Sequence, residues 1–408
     1  MAKIKMIDLF AGCGGLTEGF LKTGNYEEVA SVEWLKPQVN TLRNRLKTKW
    51  NKTNADESVL NFDIQREDEL FGGWNSDPDF GDGKGLDYFV NEVGGIDIII
   101  GGPPCQAYSV AGRVRDENGM KDDYRNFLFE HYLSVVKRYQ PKLFVFENVP
   151  GLLSAAPQGT LIYKDIQKSF KENGYEIIED LRCAKVNASE YGVPQNRERL
   201  AIVGIKKQDG RDIQKILKNF YENILPKYKS ERVITVKEAI GDLPKCTPYF
   251  DEEHHKKHEA YSVPECSITW HTPRYQNIRD MGTFKTLAED IESGRREYDS
   301  KKIADLYAEK IGSVSPIHRY HVLEPDKPST TIIAHLYKDG NRFIHYDSKQ
   351  CRSITVREAA RLQSFDDDFE FIGNRGNAYQ MIGNAVPPKL ANSIAYAIYD
   401  LLKELESD

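Results

Sequence analysis

Short apolar runs alternate with stretches of helical spacing through the first part of this chain. Parallel strands need crossover connections, commonly helices, so the alternation predicts an α/β fold with a doubly wound, mostly parallel sheet. A second, smaller mixed domain is expected beyond it. Strands are expected over 3–10, 28–33, 60–64, 96–100, 142–147 and 200–205, and helices over 37–46, 125–139, 355–364 and 388–402, with a further helix opening at Leu16. Residues 71–95 are rich in glycine, aspartate and asparagine and are expected to form a surface insertion.

Polar and reactive residues follow the predicted strands. Gly12, Glu33, Asp63, Cys105 and Glu147 each fall at or just past a strand end. The carboxyl ends of parallel strands share one edge of a sheet, and α/β proteins bind their ligands at that edge. We therefore expect these five residues to line one rim.

The length of 408 residues predicts more than one domain, because single hydrophobic cores stop growing beyond about 250–300 residues. The α/β pattern ends near residue 205, and charges, aromatics and turn formers then mix without clear order. Regular spacing returns near residue 324. We expect a first domain over 1–205, a small domain over 206–323, and a C-terminal segment over 324–408 that packs back on the first domain.

Composition narrows the location and the partners. The chain carries 56 basic and 62 acidic residues, a net charge of -6, which argues weakly against a nucleic-acid partner but does not exclude one. It has no long apolar run and no signal-peptide core. Six scattered cysteines form no disulfide framework. We therefore expect a cytoplasmic protein with free thiols.

The turn at 12–15 has the sequence Gly-Cys-Gly-Gly, which lets a ligand approach the backbone closely. Glu33 lies about twenty residues on, the distance at which an acidic residue takes ribose hydroxyls. Trp34 can stack on adenine, and Asp63 can accept a hydrogen bond from its amine. These residues fit an adenosine-containing ligand, and a nicotinamide cofactor fits them nearly as well.

Cys105 is expected on a loop rather than in the core. The glycines and prolines of 101–104 hold it beyond the end of the apolar run 96–100. A lone cysteine is usually a small core residue. A free thiol at this rim is instead placed to act as a nucleophile.

Five motifs occur in an order that resembles the cytosine-5 DNA methyltransferases, in particular those of prokaryotic restriction-modification systems. They are Asp-Leu-Phe-Ala-Gly-Cys-Gly-Gly at 8–15, Pro-Pro-Cys-Gln at 103–106, Glu-Asn-Val at 147–149, Gln-Asn-Arg-Glu-Arg at 195–199 and Gln-Met-Ile-Gly-Asn-Ala-Val-Pro-Pro at 380–388. The resemblance implies a Rossmann-like methyltransferase sheet over 1–205 and a target recognition domain over 206–323.

The resemblance also implies a mechanism. Cys105 would add to carbon 6 of a cytosine turned out of the helix, and Glu147 would stabilise the charge that develops on the ring. Arg197 and Arg199 would orient the cysteine and hold the base or its phosphate. The residues expected to contact the substrate in addition are Gln106, Ser109 and Asn148.

By the same resemblance the cofactor is S-adenosylmethionine. Its pocket is expected to comprise Phe10, Gly12, Gly14, Gly15, Glu33, Trp34, Asp63, Ile64, Pro104 and Asn384. Asn384 lies far along the chain, so the C-terminal segment would have to return to the first domain. No metal is expected, because the cysteines and histidines between residues 246 and 271 match no standard zinc spacing.

The expected partner is double-stranded DNA, with a separately encoded restriction endonuclease as a functional partner and a monomeric enzyme. A cytosine-5 methyltransferase that acts on tRNA is an alternative, although the sizeable small domain favours duplex DNA. A catalytically silent DNA-binding regulator is a further alternative. The presence of Cys105, Glu147, Arg197 and Arg199 argues against it.

Overall fold

The computed structural model describes residues 2–104, 128–156, 161–314, 320–338 and 340–407. It divides into two compact units. The first unit comprises 1–191, 198–231 and 386–408, and the second comprises 192–197 and 232–385. The division thus places 206–231 with the first unit and 324–385 with the second, whereas the sequence pattern suggested boundaries near 205 and 324.

The elements are numbered in chain order through the described residues. The strands are β1 Ile4–Leu9, β2 Tyr26–Glu33, β3 Val59–Asn61, β4 Trp74–Asp77, β5 Gly81–Gly83, β6 Ile98–Gly101, β7 Leu143–Asn148, β8 Tyr175–Ile177, β9 Lys185–Asn187, β10 Glu198–Lys206, β11 Thr247–Pro248 and β12 Tyr261–Ser262. The α-helices are α1 Gly15–Leu21, α2 Lys36–Thr48, α3 Ala55–Ser58, α4 Glu67–Gly72, α5 Gly85–Val93, α6 Leu128–Tyr139, α7 Ile162–Glu172, α8 Ile213–Asn219, α9 Val236–Ile240, α10 Glu252–Lys256, α11 Ile278–Glu292, α12 Ser300–Ile311, α13 Val356–Leu362, α14 Arg375–Asn384 and α15 Pro388–Ser407.

The first unit is built on one large sheet. Among the described residues its strand order is β3-β2-β1-β6-β7-β10-β8, and β9 also pairs with β10. The pairs from β3 to β7 are parallel, while β10 runs antiparallel to each of its neighbours. The predicted α/β class with a mostly parallel, doubly wound sheet is confirmed.

The central strands β6 and β7 each contain a continuous buried apolar run. In β6 the three isoleucines 98–100 are completely buried, and in β7 so are the residues 143–146. Strands covered on both faces need apolar side chains pointing both ways, which is why these runs do not alternate with polar residues.

The strand order creates a switch point beside β1. The chain moves outward from β1 to β2 and β3, then returns to the other side of β1 as β6. The turns that follow β1 and β6 therefore leave the sheet in opposite directions, and ligands of α/β proteins bind in the crevice this opens. The glycine turn after β1 and the Gly102–Pro104 segment after β6 stand at this position.

The C-terminal helix α15 belongs to the first unit and packs on α1. A methyl group on Gly19 would lie 2.4 Å from Cβ of Ala391, so the two helices approach closely through the glycine. The Tyr26 hydroxyl donates to the carbonyl of Ala395 at 2.6 Å. None of the helices in the described ranges is long and apolar enough to cross a membrane.

The second unit contains α9 to α14 and the short hairpin β11–β12. Its core includes a buried ion pair, in which both Nη atoms of the Arg352 guanidinium donate to Glu358 at 2.6 Å. The Glu358 carboxylate also accepts from the backbone N–H of Thr355, which closes a capping box at the start of α13. Arg357 on the same helix donates to the carbonyl and the hydroxyl of Thr269.

Candidate active site

The turn after β1 has an unusual backbone. Phe10, Gly12 and Gly14 have φ angles of 57°, 56° and 91°, in the left-handed region. A side chain at Gly14 would also meet Leu42, whose Cδ1 lies 2.5 Å from the position of a Cβ, so glycine is required there on both counts. At Gly12 a Cβ would meet no atom within 4 Å. The turn therefore leaves an open space above its backbone.

Glu33 at the end of β2 is tied to this turn. One carboxylate oxygen accepts from the backbone N–H of Gly12 at 2.9 Å, and the other accepts from Leu35 at 2.8 Å. Burial raises the pKa of Glu33, and these backbone hydrogen bonds oppose the shift. Each carboxylate oxygen has a further lone pair, so the group can still accept from ligand hydroxyls.

Strand β3 is locked to β2 at its carboxyl end. The Asn61 amide donates to the carbonyls of Trp34, at 2.6 Å, and Glu33, at 3.3 Å, and the N–H of Phe62 also donates to Glu33. These bonds place Glu33 and Trp34 next to the segment that carries Asp63 and Ile64. The Trp34 side chain is 50% exposed, which leaves an indole face open to solvent.

The segment after β6 runs beside Glu147. A Cβ on Gly102 would lie 2.9 Å from a carboxylate oxygen of Glu147, and the Asn148 amide donates to the carbonyl of Pro103 at 3.4 Å. Pro104 is exposed. The next predicted site residues, Cys105, Gln106 and Ser109, lie outside the described residues. The segment that leads to Cys105 contacts Glu147.

Glu147 and Arg199 form an ion pair, with Nε of the guanidinium 2.9 Å from the carboxylate. In the β7–β10 ladder Glu147 stands opposite Ala201. Arg199 is therefore its diagonal neighbour on the same face of the sheet, within reach of a long side chain. Burial lowers the pKa of Arg199, and Glu147 opposes the shift. The pair is partly buried, with about 13% and 14% of the two side chains exposed.

Arg197 has a different setting from Arg199. It belongs to the second unit and is buried, and its guanidinium donates to the carbonyls of Ile332, Gly383 and Ala385 at 2.8 to 3.1 Å. These contacts hold two segments of the second unit together. The structure therefore gives Arg197 a packing function, and its catalytic role stays a prediction.

The structure thus sorts the predicted site residues into three groups. Phe10, Gly12, Gly14, Gly15, Glu33, Trp34, Asp63, Ile64, Pro104, Glu147, Asn148 and Arg199 belong to the first unit, at the rim where the parallel strands end. Asn384, the exposed last residue of α14, belongs with Arg197 to the second unit. The third group, Cys105, Gln106 and Ser109, lies outside the described residues, and its role stays a prediction.

Sequence reasoning missed Asp8 as a candidate for the site. Asp8 is completely buried in β1, and its Oδ2 accepts from the Thr17 hydroxyl at 2.6 Å. Its Oδ1 has no hydrogen-bond partner among the described residues. Burial raises the pKa of Asp8 to about 8. A carboxyl group within an apolar strand, four residues before Gly12 of the glycine turn, is the available signal.

Within the described ranges, no cluster of three or more histidine, cysteine or acidic side chains could hold a metal ion. In the second unit, His271 is buried and lies 2.8 Å, through Nε2, from the carbonyl of Pro244. Its Nδ1 lies 3.2 Å from the Thr355 hydroxyl. The hydrogen bonds of this histidine thus serve the packing of the second unit.

Comparison with known proteins identifies the family. A family model for C-5 cytosine-specific DNA methylases matches residues 4–400. The type II methyltransferase M.Bpa9945I of Bacillus paralicheniformis is 32% identical, over 97% of this chain and 99% of that protein. M1.HphI of Haemophilus parahaemolyticus, also a type II methyltransferase, is 32% identical over 96% of this chain and 86% of its own.

A solved structure gives the same result. A prophage-encoded E. coli protein, provisionally described as a DNA modification methyltransferase, matches with a TM-score of 0.58 and 25% identity. The match covers 98% of this chain and 100% of that one. This chain belongs to the C-5 cytosine-specific DNA methylase family and is a DNA cytosine-5 methyltransferase.

Proposed function

We propose that the enzyme transfers a methyl group from S-adenosylmethionine to carbon 5 of a cytosine within a specific duplex DNA sequence. The reaction proceeds through a covalent adduct with Cys105, on a cytosine turned out of the helix. The observation that carries the proposal is the Glu147–Arg199 ion pair beside the segment Gly102–Pro104, at the switch point of the sheet. It puts an acidic group next to the segment that leads to Cys105.

The first unit fits the cofactor. Glu33 would accept from the ribose hydroxyls, because each of its oxygens keeps a lone pair beyond its backbone hydrogen bond. The open space above Gly12 would admit the ligand, and the half-exposed indole of Trp34 offers a surface for adenine. Asp63 would accept from the adenine amine. When bound, S-adenosylmethionine supplies the electrophilic methyl group.

The protein residues make carbon 5 reactive. The Cys105 thiolate adds to carbon 6 of the cytosine. The electron pair of the C5=C6 double bond is displaced towards ring nitrogen 3, and the base becomes an enamine whose carbon 5 is nucleophilic. Glu147, in its protonated form, donates a hydrogen bond to ring nitrogen 3 and so stabilises the charge that develops there. Carbon 5 would take the methyl group from the sulfonium of the cofactor, whose S–CH3 bond breaks to leave a neutral thioether. Carbon 5 then loses its proton to a base, and the thiolate leaves carbon 6 by elimination.

Arg199 holds the acidic group in position. Its guanidinium fixes the Glu147 carboxylate from the neighbouring strand, and its Nη1 is anchored on the carbonyl of Glu198 at 2.7 Å. A pre-oriented carboxyl group needs no reorganisation when charge develops on the substrate. We assign the second unit to target recognition.

The biological role proposed is protection of host DNA from a restriction endonuclease encoded separately, with the methyltransferase acting as a monomer. The similarity to type II methyltransferases such as M.Bpa9945I supports this role. The same catalytic groups could act on a cytosine in tRNA. That substrate is an outcome of the first experiment below.

The first experiment is expression in a host that lacks the modification, followed by bisulfite sequencing of the genome and of the tRNA. Protection of cytosines within one DNA sequence is expected. Methylation of tRNA alone would overturn the substrate assignment. Methylation at no cytosine would overturn the proposed reaction.

The second experiment tests the adduct. Duplex DNA with 5-fluorocytosine at the modified position cannot lose a proton from carbon 5, so a covalent complex should survive denaturation when cofactor is present. Cys105→Ser should abolish the complex. Cys183→Ser, which changes an exposed free cysteine, should form it normally and serves as the matched control. An adduct that persists in Cys105→Ser would contradict the assignment of the nucleophile.

A further inference from the structure

The residues between α4 and β6, expected from sequence to be a surface insertion, include a hairpin that packs into the first unit. The hairpin pairs β4 with β5, and its first residue, Trp74, is buried. The Trp74 ring stacks on Phe62 with centroids 3.8 Å apart and an interplanar angle of 22°. Phe62 is the residue that follows β3, and it is completely buried.

Two further side chains contact the Phe62 ring. The Arg66 guanidinium lies over its ring, 4.7 Å from the centroid, and the Phe80 ring packs edge-on at 5.1 Å. Arg66 also donates to Asp77 in β4 at 2.6 Å. The turn after β3 is therefore joined to the hairpin by a stacked ring, an edge contact and an ion pair.

Gly83 holds the Trp74 ring from the side of β5. A Cβ on Gly83 would lie 2.2 Å from Cζ2 of Trp74, so the backbone of Gly83 packs directly against the indole. The backbone conformation of Gly83 is open to any residue, because its φ is not in the left-handed region. An alanine at this position would thus displace the indole without straining the backbone.

The same turn carries the residues assigned to the adenine end of the cofactor. Asp63 and Ile64 follow Phe62 directly, and the N–H of Phe62 donates to the carbonyl of Glu33 at 3.2 Å. The carbonyl of Asp63 accepts from the N–H of Arg66 at 3.1 Å. A shift of Phe62 would therefore move Asp63, and the hairpin is the element that packs on Phe62.

We propose that hairpin β4–β5 is a positioning element for the adenine end of the cofactor site, through the stack of Trp74 on Phe62. Its function is to hold Asp63 where it can accept from the adenine amine. A binding site gains affinity when its contact groups are held in the bound geometry beforehand. The inference rests on the proposed function, since it takes Asp63 to be a cofactor contact.

The test measures binding rather than turnover. The affinities of the full-length protein for S-adenosylhomocysteine and for its hypoxanthine analogue, S-inosylhomocysteine, are measured by calorimetry. The wild type should prefer the adenine ligand. Trp74→Ala should weaken adenine-ligand binding by about tenfold, equivalent to about 1.4 kcal/mol, and reduce the preference between the two ligands.

Three further variants separate positioning from general destabilisation. Trp74→Phe keeps an aromatic ring on Phe62 and should restore most of the preference. Gly83→Ala should reduce it by displacing the indole, and it decides the question if Trp74→Ala fails to fold. Tyr88→Ala changes an exposed ring on α5 in the same insertion and should bind both ligands as the wild type does.

The outcomes are distinct. A wild type that binds neither ligand contradicts the proposed function itself. A wild type that binds and discriminates, with Trp74→Ala and Gly83→Ala equal to Tyr88→Ala, overturns the inference about the hairpin. Equal weakening of both ligands also overturns it. A general loss of stability lowers both affinities alike, whereas a displaced Asp63 lowers the affinity for the ligand that carries the adenine amine.

Discussion

Arg199 and Glu147 meet across the antiparallel strands β10 and β7, with Nε of the guanidinium 2.9 Å from the carboxylate. Arg197, two residues earlier, donates instead to backbone carbonyls of the second unit. The motif Gln-Asn-Arg-Glu-Arg thus serves two purposes. One arginine supports the acidic group of the proposed site, and the other supports packing.

Replacement of Arg199 should affect chemistry. Arg199→Gln removes the cation that holds Glu147, so we expect the methyl transfer rate to fall by about 10²-fold, the usual effect of losing a group that stabilises developing charge. Single-turnover methylation of duplex DNA measures this rate. Lys185→Gln, which breaks an exposed ion pair with Glu198 on the same strand ladder, is the control and should keep the wild-type rate.

Replacement of Arg197 should affect stability. Arg197→Gln removes donors from three carbonyls, and buried acceptors that lose their partners cost about 1–3 kcal/mol. We expect a lower free energy of unfolding in urea than for Arg199→Gln. A variant that is as stable as the wild type but inactive would show that Arg197 acts in catalysis instead.

The buried carboxyl of Asp8 should make stability depend on pH. Its pKa rises from an ordinary 3.8 to about 8 on folding, so the folded state holds a proton that the unfolded state releases. This contribution is fully present below about pH 4 and is lost as the pH rises towards 8, by up to about 1.4 kcal/mol per pH unit.

The Asp8→Asn variant isolates this effect, because the amide cannot ionise. The difference in free energy of unfolding between the variant and the wild type, measured from pH 5 to 9, should change steadily in favour of the variant up to about pH 8. A constant difference over this range would mean that Asp8 is ionised throughout.

The ion pair Arg352–Glu358 should be costly to break. Burial raises the pKa of Glu358, but Arg352 more than offsets it and the pKa falls to about 2. Glu358→Gln would leave a buried guanidinium without its anion, which costs about 3–5 kcal/mol. Urea unfolding measures the loss. Glu253→Gln, which breaks an exposed pair with Lys257, should cost less than about 1 kcal/mol.

The contact between α1 and α15 should tolerate no side chain at Gly19. In Gly19→Ala the new methyl would lie 2.4 Å from Ala391 and 2.6 Å from backbone atoms of Pro388 and Asn392, so the helices must separate. Overpacking of this kind costs about 1–3 kcal/mol, which thermal unfolding would detect. Gly72→Ala in α4 meets no atom within 4 Å and should leave stability unchanged or slightly improved.

Local patterns predicted the sheet and its rim well. Apolar runs such as 96–100 predicted buried strands, and the structure places Ile98–Gly101 at the centre of the sheet. The alternation of strands and helices places Glu33, Asp63 and Glu147 at or just past predicted strand ends. These predictions succeed because the residues next to each other in sequence determine where a strand forms and where it ends.

Other features depend on contacts between distant residues. The stack of Trp74 on Phe62 and the hydrogen bonds of Arg197 to Gly383 and Ala385 join segments that no local pattern relates. The glycine, aspartate and asparagine content of residues 71–95 predicts only a surface insertion, and the contact with Phe62 corrects this. The raised pKa of Asp8 likewise comes from burial beneath other elements, which no local pattern indicates.

By itself the sequence determined the fold class, the family and the set of chemical groups, because strand periodicity and motif order are encoded locally. The tertiary structure decided which groups share a surface. It paired Arg199 rather than Arg197 with Glu147, and it placed a hairpin against Phe62. Side chains two residues apart can enter different units, and only the folded chain shows which partners each one meets.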